Sequence, residues 1–414
     1  MSVKRRALAE RRQVVGYSQE TLARVVGVDP VTVGRWERGE TSPQPWCRPK
    51  LADALSVSFD ELDTMLAEGQ PIKDRQPGSA EPGGGGEPGN PDEPVDPEHD
   101  PVLVPPWNHR GTVEAAAVLS GGGDRVERRV FLSLSGAGLI APAFQWLVHE
   151  PGPLVSGLSG RRVSLGLVHR FTAMIAELRK MEDVAGGGGV LGLARHEFGW
   201  VAGLLDRARY DVRTGRALHV VLAELGQFCG WSAYDIGQHG LAQRFYIAAL
   251  RAAHSADDRP LGAYVLASMA SQAARHDGRP ADAVTLIETA LAGTRGQQTP
   301  AFLAQLHMRH AYAFAFLQDA SACMAAISQA RTQVEQLKPE DDPPWLYWVN
   351  PTAITANAGV CLLRLGQSGH AVAMLTEGIA QLDEFLLRDR QLYVTNLASA
   401  HTRPGKQRDL HVAA

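Results

Sequence analysis

The sequence of 414 residues predicts an all-α protein with a small N-terminal helical domain, a linker and a larger C-terminal helical domain. Two helix starts follow each other closely within residues 17–40, each with a capping residue and a short apolar pattern. Residues 69–106 hold ten prolines and seven glycines, which interrupt regular structure. Beyond residue 154 the apolar residues recur at helical spacing, and no segment shows sustained strand alternation.

Ser18 and Asp29 are the predicted caps of two short helices, because their side-chain oxygens can accept from free N–H groups of the opening turn. Pro30 follows at the first helical position, where its missing N–H costs nothing. Thr32 and Arg35 are predicted to face outwards. The residues predicted to face the interior are Leu22, Ala23, Val26, Val33 and Trp36. Two short helices joined by a tight turn form a helix-turn-helix.

The motifs of this stretch resemble those of the phage-repressor-type DNA-binding domain, the XRE or Cro/C1-like family. The matching positions are 18–23, 26–28, 33, 35–39, 51–57 and 59–62. The resemblance covers about residues 3–68 and implies a five-helix, lambda-repressor-like DNA-binding domain over residues 1–68. Pro49 departs from the family pattern and implies that the fourth helix begins near Arg48.

Operator binding is the function that this resemblance implies for the N-terminal domain. The second helix of the motif would enter the major groove of double-stranded DNA, where Arg35 and Thr32 would reach base edges. Gln19 and the arginines of the first helix would anchor the phosphate backbone. Residues 1–50 hold ten Lys/Arg against five Asp/Glu, the balance expected of a DNA-binding domain. The predicted DNA-contact residues are Gln19, Pro30, Val31, Thr32, Arg35, Arg38, Arg11 and Arg12.

Residues 69–106 are predicted to be a disordered linker. Besides its prolines and glycines this region is acidic, since residues 51–106 hold 13 Asp/Glu and two Lys/Arg. Such a composition cannot bury enough apolar surface to offset the entropy of ordering the chain. The four glycines at 83–86 do not form a phosphate loop, because no strand precedes them and no Gly-Lys-Ser/Thr follows.

Composition and motifs exclude several classes of protein. No run of 18 apolar residues is present and the N-terminus lacks a secretion signal, so a cytoplasmic protein without membrane segments is expected. The four cysteines are far apart in the sequence and are expected to be buried thiols in a reducing compartment. His196 and Glu197 lack the second histidine of a zinc-protease helix. No metal, cofactor or catalytic residue is predicted, and the chain is not expected to be an enzyme.

The second half of the chain contains an internal repeat of the form small-x3-large-x2-small. Its copies start at Ala242, Ala283, Cys323 and Ala371. Another small residue stands 12 positions before each start, at Gly230, Ser271, Ala311 and Gly359. The pattern resembles the tetratricopeptide repeat family and implies a TPR-like α-solenoid over residues 215–404, preceded by a helical region at 107–214. The copies are 41, 40 and 48 residues apart instead of about 34, so the repeat is degenerate.

An α-solenoid presents a concave face that is lined by the first helix of each pair. The repeat alignment places six side chains on or near this face: Trp231, Tyr234, Gln272, Arg275, Tyr312 and Asn357. Aromatic, arginine and amide side chains suit peptide recognition, because an amide can pair with a backbone donor and acceptor. The predicted partner of this groove is a peptide, a protein or a small ligand.

The combination of a repressor-type domain, a linker and helical repeats resembles cytosolic bacterial regulators, including the peptide-pheromone sensors. It implies a sequence-specific transcriptional regulator that binds operator DNA as a homodimer and senses a ligand through its repeats. Two other classes stay open: an interaction scaffold with weak, non-specific DNA binding, and an enzyme with a DNA-binding appendage. Residues 107–414 carry a net charge of only about +2, so this part is expected to contact DNA little or not at all.

Overall fold

The computed structural model shows a predominantly helical chain that divides into two compact units, residues 1–88 and 89–414, here called the head and the body. The structure describes residues 5–26, 28–38, 43, 48–55, 57, 62, 65–66, 100–120, 133–134, 136–152, 157–158, 160–338, 340–383 and 386–402. Within these ranges the all-α prediction is confirmed except for one two-stranded antiparallel ribbon in the body. The predicted disorder of residues 69–99 lies outside them. None of the described helices is long and apolar enough to cross a membrane.

Four helices of the head lie within the described residues: α1 (Arg6–Val14), α2 (Gln19–Val26), α3 (Pro30–Glu37) and α4 (Arg48–Leu55). The start of α4 agrees with the prediction from Pro49. Of the predicted fifth helix, the structure describes Leu62, Met65 and Leu66, and both leucines are buried.

The predicted caps of α2 and α3 are present. Ser18 Oγ accepts from the backbone N–H of Thr21 at 3.0 Å, and Asp29 Oδ1 accepts from that of Val31 at 2.8 Å. The five residues predicted to face the interior are all buried in one core cluster with residues of α1 and α4. The local signals of residues 17–40 therefore determine both the ends and the rotation of these two helices.

The body consists of thirteen described α-helices, one short 3₁₀-helix and the ribbon. They are α5 (His109–Ser120), α6 (Ala137–Val148), β1 (Gly157–Leu158), α7 (Leu165–Ala185), α8 (Gly187–Arg207), β2 (Arg209–Tyr210), α9 (Val212–Asp235), α10 (His239–Ser255), α11 (Arg259–Arg275), α12 (Pro280–Gly293), α13 (Pro300–Leu317), α14 (Ala320–Val334), the 3₁₀-helix Pro344–Leu346, α15 (Pro351–Arg364), α16 (Ser368–Ala380) and α17 (Leu387–Thr402).

The repeat of the sequence corresponds to four pairs of consecutive helices in contact: α9–α10, α11–α12, α13–α14 and α15–α16. The motif copies lie on the second helix of each pair, and the earlier small residues lie on the first. A Cβ on Gly230 would lie 2.5 Å from the ring of Tyr246, and one on Gly359 would lie 2.8 Å from Leu375 Cγ. Small residues at these positions therefore permit the close packing that the repeat predicts.

The first helices of the pairs form an inner layer that is closed on itself. Contacts run from α7 through α9, α11, α13, α15 and α17, and α17 in turn contacts α7. An α-solenoid is open at both ends, so this closure by the last helix is a feature that the repeat pattern does not predict.

The segment before α5 is packed onto α10 and belongs to the body. Arg244 and Asp100 form a buried ion pair with an N–O distance of 2.7 Å. Arg251 Nη1 donates to the carbonyl oxygen of Pro106 at 3.1 Å, and its Nη2 donates to that of Leu103. The sequence places the end of the linker at residue 106. The structure shows instead that residues 100–106 are ordered against α10, because they satisfy two buried guanidinium groups.

Candidate functional site

The outward face of α3 is the first candidate site. Val33 and Trp36 of this helix are buried, with Trp36 only 2% exposed, and they fix which side of α3 faces solvent. Val31 is 59% exposed. The predicted contact residues that remain accessible on or directly after α3 are Pro30, Val31, Thr32, Arg35 and Arg38. A helix anchored by Trp36 thus presents both apolar and guanidinium groups to a partner.

A buried ion pair holds α1 against the end of α3. Arg12 Nε donates to Glu37 Oε1 at 2.6 Å, and Arg12 Nη1 donates to the carbonyl oxygen of Tyr17 at 2.7 Å. Gln19 Nε2 donates to Glu37 Oε2 at 2.6 Å. The side chains of Arg12 and Glu37 are each 9% exposed. The prediction that Arg12 contacts DNA phosphate is therefore wrong, since its guanidinium is buried and used within the head.

The other predicted backbone anchors lie near the surface. Arg11 is half-buried, and its Nε donates to the carbonyl oxygen of Leu55 at the end of α4 at 2.8 Å. Gln19 is half-buried at the start of α2. A Cβ on Gly34 would lie 3.0 Å from Arg38 Nη1 and 3.5 Å from Gln19 Oε1. Glycine at position 34 therefore lets both side chains lie close to the α3 backbone.

The second candidate site is a cleft in the body with a volume of about 700 Å³. Its walls are formed by the first helix of each repeat pair, by α7 and α17, and by residues 345–348 before α15. This volume lies within the range of small-molecule binding sites, about 300–1,000 Å³. The inner layer of helices thus encloses a cavity on the face that the repeat pattern predicts to be concave.

Five of the six predicted groove residues line this cleft: Trp231, Tyr234, Arg275, Tyr312 and Asn357. Gln272 does not, and its assignment is wrong. The side chain of Gln272 is 1% exposed, and its Nε2 donates to the carbonyl oxygen of His239 at 3.0 Å. Helix α11 presents Ser268 and Ser271 to the cleft instead.

Gln305 on α13 is a cleft residue that the sequence analysis missed. Its side chain is 1% exposed, and its Oε1 has no hydrogen-bond partner among the described residues. Leaving a buried acceptor unsatisfied costs about 1–3 kcal/mol. Gln227, by contrast, donates from Nε2 to Ser268 Oγ at 3.1 Å. The only sequence signal at Gln305 is a polar residue inside the apolar pattern of α13.

Aromatic side chains outside the repeat copies form part of the cleft wall. The rings of Tyr264 and Trp345 are stacked with their centroids 4.4 Å apart. The guanidinium of Arg309 lies 5.4 Å from the ring centroid of Trp348. Trp345 and Trp348 lie in the connection between α14 and α15, so the repeat alignment cannot assign them to the groove.

A cluster of carboxylates at the cleft is joined by Arg388 of α17. Arg388 Nη1 lies 2.6 Å from Glu182 Oε1 of α7, and its Nη2 pairs with Asp235 Oδ1 of α9. Its guanidinium lies 5.2 Å from the ring centroid of Trp231. Burial raises the pKa of Glu182 to about 7, and the charges of Asp183 and Asp235 add to this effect against the opposing charge of Arg388. Three helices therefore meet around one charged contact.

Histidines of the body do not assemble into a metal centre in the part of the chain that the structure describes. No group of three or more His, Cys, Asp or Glu there is placed to hold a metal ion. His109 Nδ1 lies 3.0 Å from His219 Nε2, and burial lowers the pKa of His219 to about 4. This pair is therefore neutral near pH 7 and packs as an internal contact between α5 and α9.

A family model described as helix-turn-helix matches residues 8–62, which include α2, α3, α4 and most of α1. No curated protein and no solved structure matches the chain. The head therefore contains a helix-turn-helix of the XRE type, as the sequence predicts. The match does not extend to the body, where the tetratricopeptide resemblance stays a prediction.

Proposed function

We propose that this protein is a transcriptional regulator whose head binds operator DNA sequence-specifically. The observation that carries the proposal is the accessible face of α3, which presents Val31, Thr32 and Arg35 while Trp36 anchors the helix in the core. The second helix of a helix-turn-helix is the one that enters the major groove. The helix-turn-helix match supports DNA binding by the head.

Arg35 is the residue expected to contribute most to base recognition. It is an exposed, long donor in the last turn of α3, and a guanidinium can pair bidentately with O6 and N7 of guanine. Arg35→Ala is expected to weaken operator binding by about 1–3 kcal/mol and to relax the preference at one base pair.

Selection of bound genomic fragments defines the operator, and titration of that duplex then compares the variants. Arg24→Ala is the matched control, because Arg24 is an exposed arginine on α2. It should leave the base preference unchanged. An unchanged preference in Arg35→Ala would remove Arg35 from base recognition. Wild-type binding without any sequence preference would instead favour the interaction scaffold.

We also infer that the cleft of the body binds a short peptide whose occupancy regulates the protein. Gln305 supports this, because its buried Oε1 is an acceptor that a peptide N–H would satisfy. The stacked Tyr264 and Trp345 rings offer a surface for an apolar side chain. Arg309 adds a positive charge on the same wall. An extended peptide can offer a backbone N–H to Gln305, an apolar side chain to the two rings and an acidic group to Arg309.

Selection from a random peptide library on the full-length protein tests this inference. Enriched peptides should bind the wild type and lose about tenfold in affinity for Gln305→Leu, as expected for one buried hydrogen bond. Gln336→Leu, an exposed glutamine outside the cleft, is the control and should bind normally. Equal losses in both variants, or no enriched peptide, would contradict a peptide site in the cleft.

We further infer that the body joins two copies of the chain. A single helix-turn-helix reads one half-site, and such domains bind two half-sites as dimers. Linking two heads makes the second contact intramolecular, which can increase the overall affinity by about 10²–10⁴. Light scattering of residues 100–414 should therefore report a dimer, and the isolated head should bind the operator far more weakly than the full chain. A monomeric body would contradict this inference.

A further inference from the structure

A group of arginines surrounds the β-ribbon of the body, outside the residues that line the cleft. Residues 160–170 and 206–213 contain two exposed aspartates, Asp206 and Asp211. The same two segments contain six exposed arginines: Arg161, Arg162, Arg170, Arg207, Arg209 and Arg213. These six arginines, here called the arginine patch, exceed the nearby exposed carboxylates by four charges.

Backbone hydrogen bonds bring the two segments together. The N–H of Arg209 donates to the carbonyl oxygen of Arg161 at 3.1 Å, and the N–H of Val163 donates to that of Arg209 at 2.8 Å. Arg161, Arg162 and Arg207 line one groove of about 540 Å³. Arginines that are almost 50 residues apart in the sequence therefore share one surface, which no local charge count can show.

Among the described residues, most guanidinium groups of the patch have no carboxylate in direct contact. Arg207 Nη1 lies 3.3 Å from Asp206 Oδ2. The carboxylate of Asp211 caps α9, where it accepts from the N–H of Thr214 at 2.7 Å. The other five arginines make no ion pair within 4 Å in the ranges that the structure covers, although the pKa of Asp211 is lowered by its hydrogen bonds from Thr214 and further by the charges of Arg162 and Arg213. Like charges on one surface repel one another, so the patch is suited to an anionic partner.

We propose that the arginine patch binds backbone phosphates of the DNA that carries the operator, so that the body adds affinity without reading bases. The inference rests on the proposed function of the head, which brings this polyanion to the protein. Duplex DNA carries one charge per about 1.7 Å of its axis, and guanidinium groups pair bidentately with phosphate. The acidic residues 51–106 are another polyanion, but their 13 carboxylates are spread over 56 residues, and that of Asp100 is already paired with the buried Arg244. Duplex DNA has the denser negative charge, so it matches the arginine patch better than residues 51–106 do.

This proposal departs from an expectation from the sequence, that residues 107–414 contact DNA little or not at all. The net charge of residues 107–414 is small as a sum, but the fold concentrates positive charge at one place. A phosphate-binding surface requires local charge density and not a high net charge.

The test uses the full-length chain and an operator duplex with long flanks on both sides. The double variant Arg161→Gln/Arg162→Gln should lower the slope of log K against log salt by about 1–2, since each phosphate contact contributes about 0.9. For each phosphate contact that is lost, the fall in affinity should be about threefold larger at 50 mM salt than at 200 mM. The base preference should not change. Arg295→Gln/Arg331→Gln, a pair of exposed arginines elsewhere on the body, is the control and should bind like the wild type.

An unchanged salt slope in a variant with wild-type melting temperature would contradict phosphate binding by the arginine patch. If that variant still preferred the operator, the proposed function of the head would stand. Absence of any operator preference in the wild type would overturn the proposed function itself. Tighter DNA binding by the patch variant would also overturn the proposal, because it would identify the acidic segment of the chain as the occupant.

Discussion

The head and the body are both helical, but they use buried ion pairs differently. In the head, Arg12 and Glu37 lie inside a small core and join α1 to the end of α3. In the body, Arg388 joins three helices at the wall of a cavity. The Arg12–Glu37 pair lies in the core behind the exposed face of α3, whereas Arg388 and its carboxylate partners line the cleft. The guanidinium of Arg12 therefore supports the position of α3 from within the core instead of lying at the surface of the head.

The largest expected effect is the loss of stability when one buried tryptophan is removed, and it should be greater for the head than for the body. Trp36→Ala removes a ring that is 2% exposed from the small core of the head and should cost about 3–5 kcal/mol, a large part of the stability of a small domain. Trp146→Ala removes a fully buried ring from the body. Calorimetry of the full chain should lose the head transition in the first variant and only lower the body transition in the second. A head transition unaffected by Trp36→Ala would contradict the position of Trp36 in the core of the head.

The next effect concerns the ion pair of the head. Glu37→Leu leaves the buried guanidinium of Arg12 without its carboxylate and should destabilise the head by about 3 kcal/mol. Arg12→Met/Glu37→Leu removes both charges and should cost less than the single change, because no unpaired charge stays buried. Urea unfolding of both variants provides the measurement. A double variant less stable than the single one would show that the pair contributes net stability.

The close helix pairs of the body predict a smaller effect. Gly230→Ala places a Cβ 2.5 Å from the ring of Tyr246 and should cost about 1–3 kcal/mol through overpacking. Gly192→Ala on α8 is the matched control, since nothing lies within 4 Å of its added Cβ. It should be neutral or stabilise by up to about 1 kcal/mol. Equal melting temperatures of the two variants would disprove the close approach of α9 and α10.

The last effect is the pH dependence of the cleft. The pKa of Glu182 is raised from 4.5 to about 7 by burial, so the folded protein keeps a proton that the unfolded chain releases. Its contribution to stability is present below pH 4.5 and is lost as the pH rises to about 7. Glu182→Gln should remove this loss in urea unfolding of the body, whereas Glu177→Gln, an exposed glutamate of α7, should retain it. Identical pH profiles for Glu182→Gln and the wild type would contradict the shift.

The sequence predicts most of the head because its signals act over single turns. Caps at Ser18 and Asp29 and the apolar spacing around Val33 and Trp36 need no distant partner. Arg12 was misassigned because its partner Glu37 lies 25 residues away and no local pattern marks the pair.

The body is predictable to a smaller extent. The repeat spacing identifies the helix pairs and five wall residues of the cleft, since small residues at fixed positions require close packing. It fails at Gln272, whose side chain is bonded to the carbonyl oxygen of His239, 33 residues away, and at Arg388, which belongs to a helix that returns to α7. The repeat pattern does not identify Gln305, because only the folded structure shows that its Oε1 is buried and has no hydrogen-bond partner among the described residues.

The docking of residues 100–106 onto α10 determines where another DNA-binding domain can be fused to the body. Asp100 is the carboxylate partner of the fully buried Arg244, and the carbonyl groups of Leu103 and Pro106 satisfy Arg251. A gene fusion that grafts another DNA-binding module onto this body must therefore join upstream of Asp100. A junction at residue 107, where the proline-rich composition ends, would deprive both arginines of these partners. The correct fusion junction therefore lies within residues 69–106, the segment that composition alone assigns to the linker.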